Sequence, residues 1–180
     1  APSRGLGDVY KRQISTLYDT INQIIEEARA AVYRTANITM VRAYWHIGRV
    51  IVEDEQKGKE RAEYGKQVLK QLSQKLTKKH GRGFDESNLR HMRNFYLVYP
   101  KCDALRPELS WTHYRLLLKV GNEQARLFYM QETIDCNWST RTLERQIGNL
   151  YYERMLMSHN TQIVKDEAAE KEIRQEPKDI

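Results

Sequence analysis

Cysteine, proline and glycine are all scarce in this sequence of 180 residues, which contains two, four and nine of them. Cys102 and Cys136 stand alone, without a Cys-x-x-Cys pair or a paired histidine spacing, so the sequence predicts neither a disulfide framework nor a zinc site. No apolar run approaches the roughly 20 residues that a membrane helix needs, and no signal peptide is visible. We therefore expect a cytoplasmic protein that binds no membrane and holds no metal or cofactor of its own.

Alternating strand patterns are also missing, whereas apolar residues recur at helical spacing through most of the chain. Hydrophobic residues make up 40% of the sequence, enough to build a core, and the length suits one domain with a tail. The sequence therefore predicts an all-α, multi-helix bundle.

The first thirteen residues look foreign to the rest. The string "SRGLGDVYKRQ" has no apolar period and reads, codon for codon, as the translation of a transposase-based sequencing adapter. We interpret residues 1–13 as such a remnant, which makes the chain a fragment assembled from environmental DNA. The alternative is a basic arm that binds nucleic acid. We expect the domain itself to cover residues 14–158.

The apolar periodicity predicts two helices before residue 57 and a third over 61–79. Asn37 lies between the first two, and the polar stretch around Gly58 ends the second. In the first predicted helix the apolar stripe consists of Ile14, Leu17, Ile21, Ile24, Ile25, Ala28 and Val32. In the second it consists of Val41, Tyr44, Trp45, Ile47, Gly48, Ile51 and Val52. In the third, Val68, Leu69, Leu72 and Leu76 face inward.

The following helix has a well-marked start. Asp85 is a good N-cap, and Phe84 before it can pack on Leu89 as a hydrophobic staple. Its expected buried face consists of Leu89, Met92, Phe95, Tyr96 and Tyr99.

Three later helices are predicted from their caps, and a charged tail follows them. Ser110 starts a helix to Leu118, Asn122 one to Ile134, and Ser139 one to about Ser158. Residues 159–180 hold four basic and six acidic residues and read as a linker leading to a further domain.

The positive charge is concentrated in one segment. Residues 57–93 contain eleven Lys or Arg and four Asp or Glu, a net charge of +7, while the whole chain has +6. Such a concentration is typical of a face that binds a polyanion, although a solvated helix surface has the same composition.

The same segment has the order helix, Gly-bearing turn, helix. The turn is Gly81-Arg82-Gly83, and the unit covers about residues 61–99. This is the helix-turn-helix arrangement, in which the second helix lies in the major groove of DNA. The alternative is an ordinary helical hairpin with a polar outer face.

The side chains of the second helix suit that role. Arg90 or Arg93 can donate two hydrogen bonds to a guanine edge, and Asn94 can pair with adenine. Ser87, with the free N–H groups of the first turn, can contact a phosphate, and His91 flanks the same face. Further contacts to the DNA backbone are expected from Lys75, Lys78, Lys79 and Arg82.

Three phrases resemble one known family. "GRGFDESNLRHMRNFYLVYP", "ELSWTHYRLLLKV" and "NWSTRTLERQI" are similar to the N-terminal helical domain of the bacterial YhcG family, over about Leu17 to Ser158. The resemblance implies that the tail leads to a C-terminal nuclease domain of the PD-(D/E)XK type, absent here, where Mg²⁺ would bind. It implies more about architecture than about activity.

A looser resemblance involves the DNA-binding core of ParB-type partition proteins. There too a helix-turn-helix is followed by a helix beginning in a Leu-Ser phrase and later by a Ser-x-Arg-x-x-Glu stretch. The matching residues are Leu109, Ser110 and His113, then Ser139, Arg141 and Glu144. This similarity implies that the helix after Asp85 is a recognition helix, buttressed by the later ones.

A catalytic site is not expected within the chain. The implied nuclease class needs an acidic residue and a Glu-x-Lys pair around Mg²⁺. The two matches, Glu55 with Lys57 and Glu176 with Lys178, lie outside any strand and are interpreted as chance. We therefore expect this fragment to cut nothing, while the parent protein is a nuclease.

The remaining histidines and tryptophans are assigned to packing. His46 is expected in the core, and His113 caps or packs its helix. Trp45, Trp111 and Trp138 are expected to anchor the core or an interface rather than to stack on bases.

Two functions follow. The first is a DNA-binding module that targets the absent nuclease domain to DNA, with RNA as an open alternative ligand. The second is an oligomerisation or partner-docking domain, suggested by the long apolar stripe of residues 14 to 52 and by the tyrosine and tryptophan content. The two are compatible, because many helix-turn-helix proteins bind as dimers.

Overall fold

The computed structural model of the chain describes residues 4–57, 62–158 and 161–173. Within these ranges the fold is all-α and contains no strand, as predicted, and a short 3₁₀ turn covers Cys102–Ala104. The helices are α1 (Arg4–Lys57), α2 (Ala62–His80), α3 (Glu86–Val98), α4 (Trp111–Leu117), α5 (Glu123–Asp135), α6 (Thr140–Gly148), α7 (Tyr151–Met157) and α8 (Thr161–Ile173).

The first helix is longer than the sequence predicts. α1 runs without interruption for 54 residues, so the prediction that Asn37 separates two helices is wrong. An exposed asparagine in a helix interior costs less than about 1 kcal/mol, and neither glycine nor proline lies near it to break the backbone hydrogen bonds. Ile38 and Val41 then continue the apolar period across it.

The helix also includes residues 4–13, where the sequence shows no helical period. Val9 and Tyr10 are exposed, so helix propagation from the following turns, not burial, accounts for this segment. That these residues are a sequencing remnant stays a prediction.

The main core lies where the second half of α1 meets α3 and the C-terminal helices. Val41 and Trp45 of α1 are buried against an aromatic cluster in which the rings of Phe95 and Tyr114 lie 4.9 Å apart. The indole N–H of Trp45 donates a hydrogen bond to the carbonyl of Tyr99, at 2.6 Å. This contact ties the middle of α1 to the end of α3.

One glycine sets the closeness of α1 to α3. A Cβ built on Gly48 would lie 2.0 Å from the carbonyl oxygen of Met92, a contact that no side chain can make. Gly48 thus lets the two helix backbones approach each other more closely than any larger residue would.

The predicted caps of the C-terminal helices are confirmed. The side chains of Ser110, Asn122 and Ser139 accept hydrogen bonds from the backbone N–H groups of His113, Ala125 and Thr142, at 3.4, 3.0 and 3.1 Å. These bonds satisfy N–H groups that the first turn of a helix leaves without an intrahelical partner.

The helix predicted from Thr140 to about Ser158 is in fact two. α6 ends at Gly148, and Leu150 adopts a left-handed conformation (φ 51°) before α7 begins. The break turns Tyr151 into the core, where 1% of it is exposed, and the backbone N–H of Tyr152 donates to the hydroxyl of Tyr129 at 3.1 Å. Burial of a large aromatic side chain offsets the strain at Leu150.

Within the charged tail, the structure shows a packed helix that the composition does not predict. Residues 161–173 form α8, whose Val164 and Ala168 are buried in the main core. Two apolar residues four positions apart share one face of a helix, which is enough to dock an otherwise polar segment. Arg154 of α7 and Glu167 of α8 form an ion pair beside them. A following domain stays a prediction.

None of the helices described is long and apolar enough to cross a membrane.

Candidate nucleic-acid interface

The turn between α2 and α3 is shaped by two glycines. Gly81 and Gly83 have φ values of 81° and 106°, which residues with a Cβ rarely adopt. The N–H of Gly81 closes α2 on the carbonyl of Thr77, at 2.9 Å. Asp85 then starts α3 by accepting a hydrogen bond from the N–H of Asn88, at 3.0 Å, as predicted. A short turn thus joins two well-terminated helices.

A small core of its own holds this helical pair against α1. It consists of Ile51 from α1, Leu69 from α2, and Leu89 and Met92 from α3, all buried. The half-buried side chains around it are Tyr44, Ile47, Leu72, Leu76, Phe84 and Trp111. The buried faces predicted for α2 and α3 are confirmed. The opposite side of α3 is therefore the side that is exposed and can contact a ligand.

Asn88 is a structural residue that sequence reasoning missed. Although polar, it is 8% exposed. Its side-chain oxygen accepts a hydrogen bond from the indole N–H of Trp111, at 3.1 Å, and its amide nitrogen donates to the carbonyl of Gly83. Asn88 therefore links the turn to α4. Its spacing was an available signal, because residues 88, 92, 95 and 99 share one helix face.

The outer face of α3 brings together three of the predicted site residues. Ser87, Arg90 and Asn94 are exposed and lie on the side of the helix away from Met92, which is fully buried. Arg90 pairs with Glu86 at 3.1 Å, one turn earlier on the helix surface. Exposed pairs of this kind contribute less than about 1 kcal/mol, so Arg90 can exchange Glu86 for a ligand at little cost.

Arg93 and His91 lie on the two flanks of this face. The Nε of Arg93 contacts the carboxylate of Glu55 on α1 at 2.6 Å, in a partly buried ion pair. The Nδ1 of His91 lies 2.7 Å from the carbonyl of Ser87 and donates to it. Both side chains are thus committed to contacts within the protein, and Arg93 in particular helps to fasten α3 to α1.

The basic residues at the end of α2 surround the turn. Lys75, Lys78, Lys79 and Arg82 are all exposed. Within the described part of the chain, none of them has a carboxylate at ion-pair distance. Lys59 and Arg61, two more basic residues of the 57–93 segment, lie outside the described residues. Among the described residues, the side that carries the turn therefore offers a group of positive charges without an ion-pair partner.

Behind the helical pair, His113 fixes the start of α4. Its Nδ1 accepts a hydrogen bond from the N–H of Ser110 at 3.2 Å, and its Nε2 donates to the carbonyl of Trp138 at 3.0 Å. Burial lowers the pKa of His113, although the bond to Trp138 opposes that shift. A neutral ring with the proton on Nε2 satisfies both bonds, so the predicted capping and packing role is confirmed.

Metal-ligating side chains do not cluster in the part of the chain that the structure describes. No group of three His, Cys, Asp or Glu side chains in the described ranges is placed to hold a metal ion. Glu55, the acidic member of one Glu-x-Lys string, is paired with Arg93. The other string, Glu176 with Lys178, lies outside the described residues.

The aromatic predictions are confirmed in part. Trp45 and Trp138 are buried in the core, and Trp111 is half-buried between its hydrogen bond to Asn88 and the ring of Tyr44 at 5.0 Å. The prediction that His46 lies in the core is wrong. Its ring is exposed beside that of Trp45, at 5.0 Å, because it follows Trp45 by one residue and therefore points about 100° away around the helix.

Comparisons with known proteins agree with the resemblance seen in the sequence. The model of the DUF1016 N-terminal domain matches residues 20–154. A relative from Escherichia coli (strain K12), named "Putative nuclease YhcG", is 38% identical over 176 residues, covering 80% of this chain and 47% of the relative. The chain thus spans about half the length of that relative. No solved structure matches. The chain belongs to the DUF1016 N-terminal domain family, the N-terminal domain of YhcG-type proteins.

Proposed function

We propose that this domain is a DNA-binding helix-turn-helix module that brings a C-terminal PD-(D/E)XK nuclease domain of a longer parent protein to DNA. The observation that carries the proposal is the outer face of α3. There Ser87, Arg90 and Asn94 stand exposed next to a turn whose flanks carry Lys75, Lys78, Lys79 and Arg82.

The chemistry of this face matches the two parts of DNA recognition. Lysine and arginine near a helix-turn-helix supply attraction to phosphates that does not depend on sequence. An arginine and an asparagine one turn apart on the inserted helix supply the donors and acceptors that base edges require. The first turn of α3 adds N–H groups and the Ser87 hydroxyl for a phosphate.

The family relationship supports the same function. A relative that carries the word nuclease in its name must contact nucleic acid to act as one. A helical domain that precedes a nuclease domain, and that carries a net charge of +7 over residues 57–93, is suited to deliver it to that substrate.

The test is fluorescence anisotropy of the 180-residue chain with a labelled random duplex over a series of salt concentrations. Groove binding predicts a linear fall of log K with log salt, with a slope of about −0.9 for each phosphate contacted. Arg90→Ala/Asn94→Ala is expected to weaken binding, with about 1–3 kcal/mol of discrimination lost for each good base contact. Lys78→Ala/Lys79→Ala is expected to reduce the slope by about 2.

Two controls make the test specific to α3. Arg115→Ala removes an exposed arginine from α4, a helix outside the α2–α3 pair, and is expected to leave affinity nearly unchanged. A chain that starts at Ile14 removes the basic residues of the first segment, and equal affinity would exclude the alternative of a basic arm. Loss of binding on removal of that segment, with no effect of Arg90→Ala/Asn94→Ala, would overturn the proposal.

The same assay compares ligands. An RNA duplex of matching sequence is expected to bind more weakly, because its deep and narrow major groove does not admit α3. Equal or tighter RNA binding would favour RNA as the ligand. Incubation of the chain with plasmid DNA and Mg²⁺ is expected to leave the DNA intact, and cleavage would place catalytic residues within these 180 residues.

A further inference from the structure

The first two thirds of α1 expose an unusual amount of apolar surface. Between Val9 and Met40, large hydrophobic side chains of α1 stand open to solvent, and only Ile38 in this stretch is half-buried against the main core. They are Val9, Tyr10, Ile14, Leu17, Tyr18, Ile21, Ile24, Ile25, Val32, Tyr33 and Met40. Monomeric proteins rarely leave contiguous apolar patches of this extent uncovered, so the surface indicates a contact with another molecule.

Most of these residues follow a seven-residue repeat. Ile14, Ile21, Ala28 and Thr35 occupy one repeat position, and Leu17, Ile24, Ala31 and Ile38 the position three residues later. Ile38 ends the stripe, since it is half-buried against the main core of its own chain. Tyr18, Ile25 and Val32 widen the stripe on one side. An apolar repeat of this kind over four heptads is the pattern by which helices pair along their length.

The side chains along the stripe differ in size from one end to the other. Residues 14–25 carry mainly Ile, Leu and Tyr, whereas residues 28–36 carry Ala28, Ala31, Thr35 and Ala36 on or beside the stripe. Closely packed helices need large residues opposite small ones. A second copy that runs in the opposite direction, with residue 14 opposite residue 38, places Ile21 opposite Ala31 and Ile24 opposite Ala28.

The charged residues of this part of α1 are also divided between its two ends. Residues 14–27 contain three acidic residues and no basic one, and residues 28–42 contain three arginines and no acidic residue. The acidic half is Asp19, Glu26 and Glu27, and the basic half is Arg29, Arg34 and Arg42. In the antiparallel register above, Asp19 lies opposite residue 33 of the second copy, next to Arg34, while Glu26 and Glu27 lie close to the two-fold axis. Parallel pairing would set each charged residue opposite its own copy.

We infer that residues 14–38 of α1 form an antiparallel homodimer with the same segment of a second copy. The occupant is a second copy rather than another protein because the large and small side chains along the stripe are complementary to the stripe itself in reverse, with Asp19 beside Arg34 of the second copy. An isolated helix is marginally stable in water. Pairing with a second copy would therefore stabilise the exposed part of α1, which is about 40 Å long.

The first experiment is sedimentation equilibrium of the 180-residue chain at micromolar concentrations. The wild-type chain is expected to sediment as a dimer. Ile21→Asp/Ile24→Asp places four carboxylates in the dimer interface and is expected to raise the dimer dissociation constant at least 100-fold. Because both isoleucines are exposed in the single chain, the folded domain is expected to persist, as checked by its near-UV circular dichroism.

The matched control is Thr16→Asp/Asn22→Asp, which adds the same charge to exposed positions off the stripe. It is expected to leave the dimer intact. A wild-type chain that is monomeric up to about 100 µM would overturn the inference, and so would equal dissociation of the control and the stripe variant.

Orientation is tested by disulfide formation with Cys102 and Cys136 replaced by serine. Single variants Ile21→Cys and Ala31→Cys are expected to cross-link to each other when the two chains are mixed, and not to themselves. Self-cross-linking of each variant without mixed product would show a parallel pair and overturn the antiparallel arrangement.

This inference does not depend on the proposed function. The stripe lies on α1, whereas the candidate DNA face lies on α3. Loss of DNA binding in Arg90→Ala/Asn94→Ala with the dimer intact, or the reverse in Ile21→Asp/Ile24→Asp, would show that the two surfaces act separately.

Discussion

The two parts of α1 have the same apolar periodicity but different surroundings. Over residues 41–57, Val41 and Trp45 are 0% and 5% exposed, whereas Leu17 and Ile24 of the first part are both 60% exposed. Nothing in the hydrophobic pattern alone distinguishes them. A periodic stripe therefore predicts that a helix has a face to bury, without indicating whether the partner belongs to the same chain.

The distinguishing feature is local. In the buried part, Gly48 removes the side chain where α3 crosses, and Trp45 reaches the carbonyl of Tyr99. In the exposed part, the large residues of positions 14–25 are followed at heptad spacing by the small residues Ala28 and Ala31. The first arrangement suits a single crossing of two helices, and the second suits pairing along the helix.

The largest loss of stability is expected from a substitution that forces α1 and α3 apart. Gly48→Ala is expected to destabilise the domain by more than about 3 kcal/mol, because its Cβ would collide with the Met92 carbonyl, whereas ordinary overpacking costs less. Urea unfolding followed by circular dichroism measures this. The control Gly148→Ala meets no atom within 4 Å. Similar stability of both variants would contradict the close crossing.

The second test compares the same substitution in both parts of α1. Val41→Ala removes methyl groups from a fully buried site and is expected to cost about 2 kcal/mol. Val32→Ala, at a site that is 67% exposed, is expected to change stability by less than about 0.5 kcal/mol. Both should be measured in the Ile21→Asp/Ile24→Asp background, so that dimer formation does not contribute. Equal losses would show that residue 32 is buried within the single chain.

A smaller effect is expected from acid, through His113 in the buried region. Because burial lowers the pKa of His113 in the folded state, the unfolded chain binds the proton first as the pH falls. The contribution of His113 is therefore full above its ordinary pKa of about 6.5 and is lost as the pH falls through the folded value. Thermal unfolding from pH 8 to 5 should show the loss, and His113→Gln, which retains a capping side chain, should flatten it.

The smallest difference concerns two ion pairs. Glu55 in the buried part of α1 pairs with Arg93 of α3 at 2.6 Å, and Glu26 in the exposed part pairs with Arg29 of its own helix at 3.2 Å. Double-mutant cycles are expected to give about 1 kcal/mol for the first pair and about 0.3 kcal/mol for the second. A larger coupling for Glu26 and Arg29 would reverse the comparison.

The local features of this fold could be predicted from the sequence. Asp85, Ser110, Asn122 and Ser139 cap helices as predicted, because an N-cap depends on a side chain and the N–H groups two or three residues later. The Gly81 to Gly83 turn and the buried face of α3 follow from equally local rules. These features also define which residues of the candidate site are exposed.

The features that depend on distant residues could not be predicted. The exposure of His46, the left-handed Leu150 and the docking of α8 each depend on which neighbour packs alongside, and a single sequence does not show that. The contact made by Arg93 also depends on a distant residue. The sequence predicts a ligand contact for Arg93 and does not show its ion pair with Glu55, 38 positions earlier in the chain.

The hydrogen bond between Trp45 and Tyr99 has a consequence for the timing of folding. Its two residues are 54 positions apart, so the loop between them must close before the core can form. Helix formation within α1 takes less than about a microsecond, whereas loop closure carries an entropic cost that grows with length. During synthesis, residues 14–38 leave the ribosome before Tyr99 has been made. We therefore expect the stripe to be available to a neighbouring nascent chain before the rest of the domain folds.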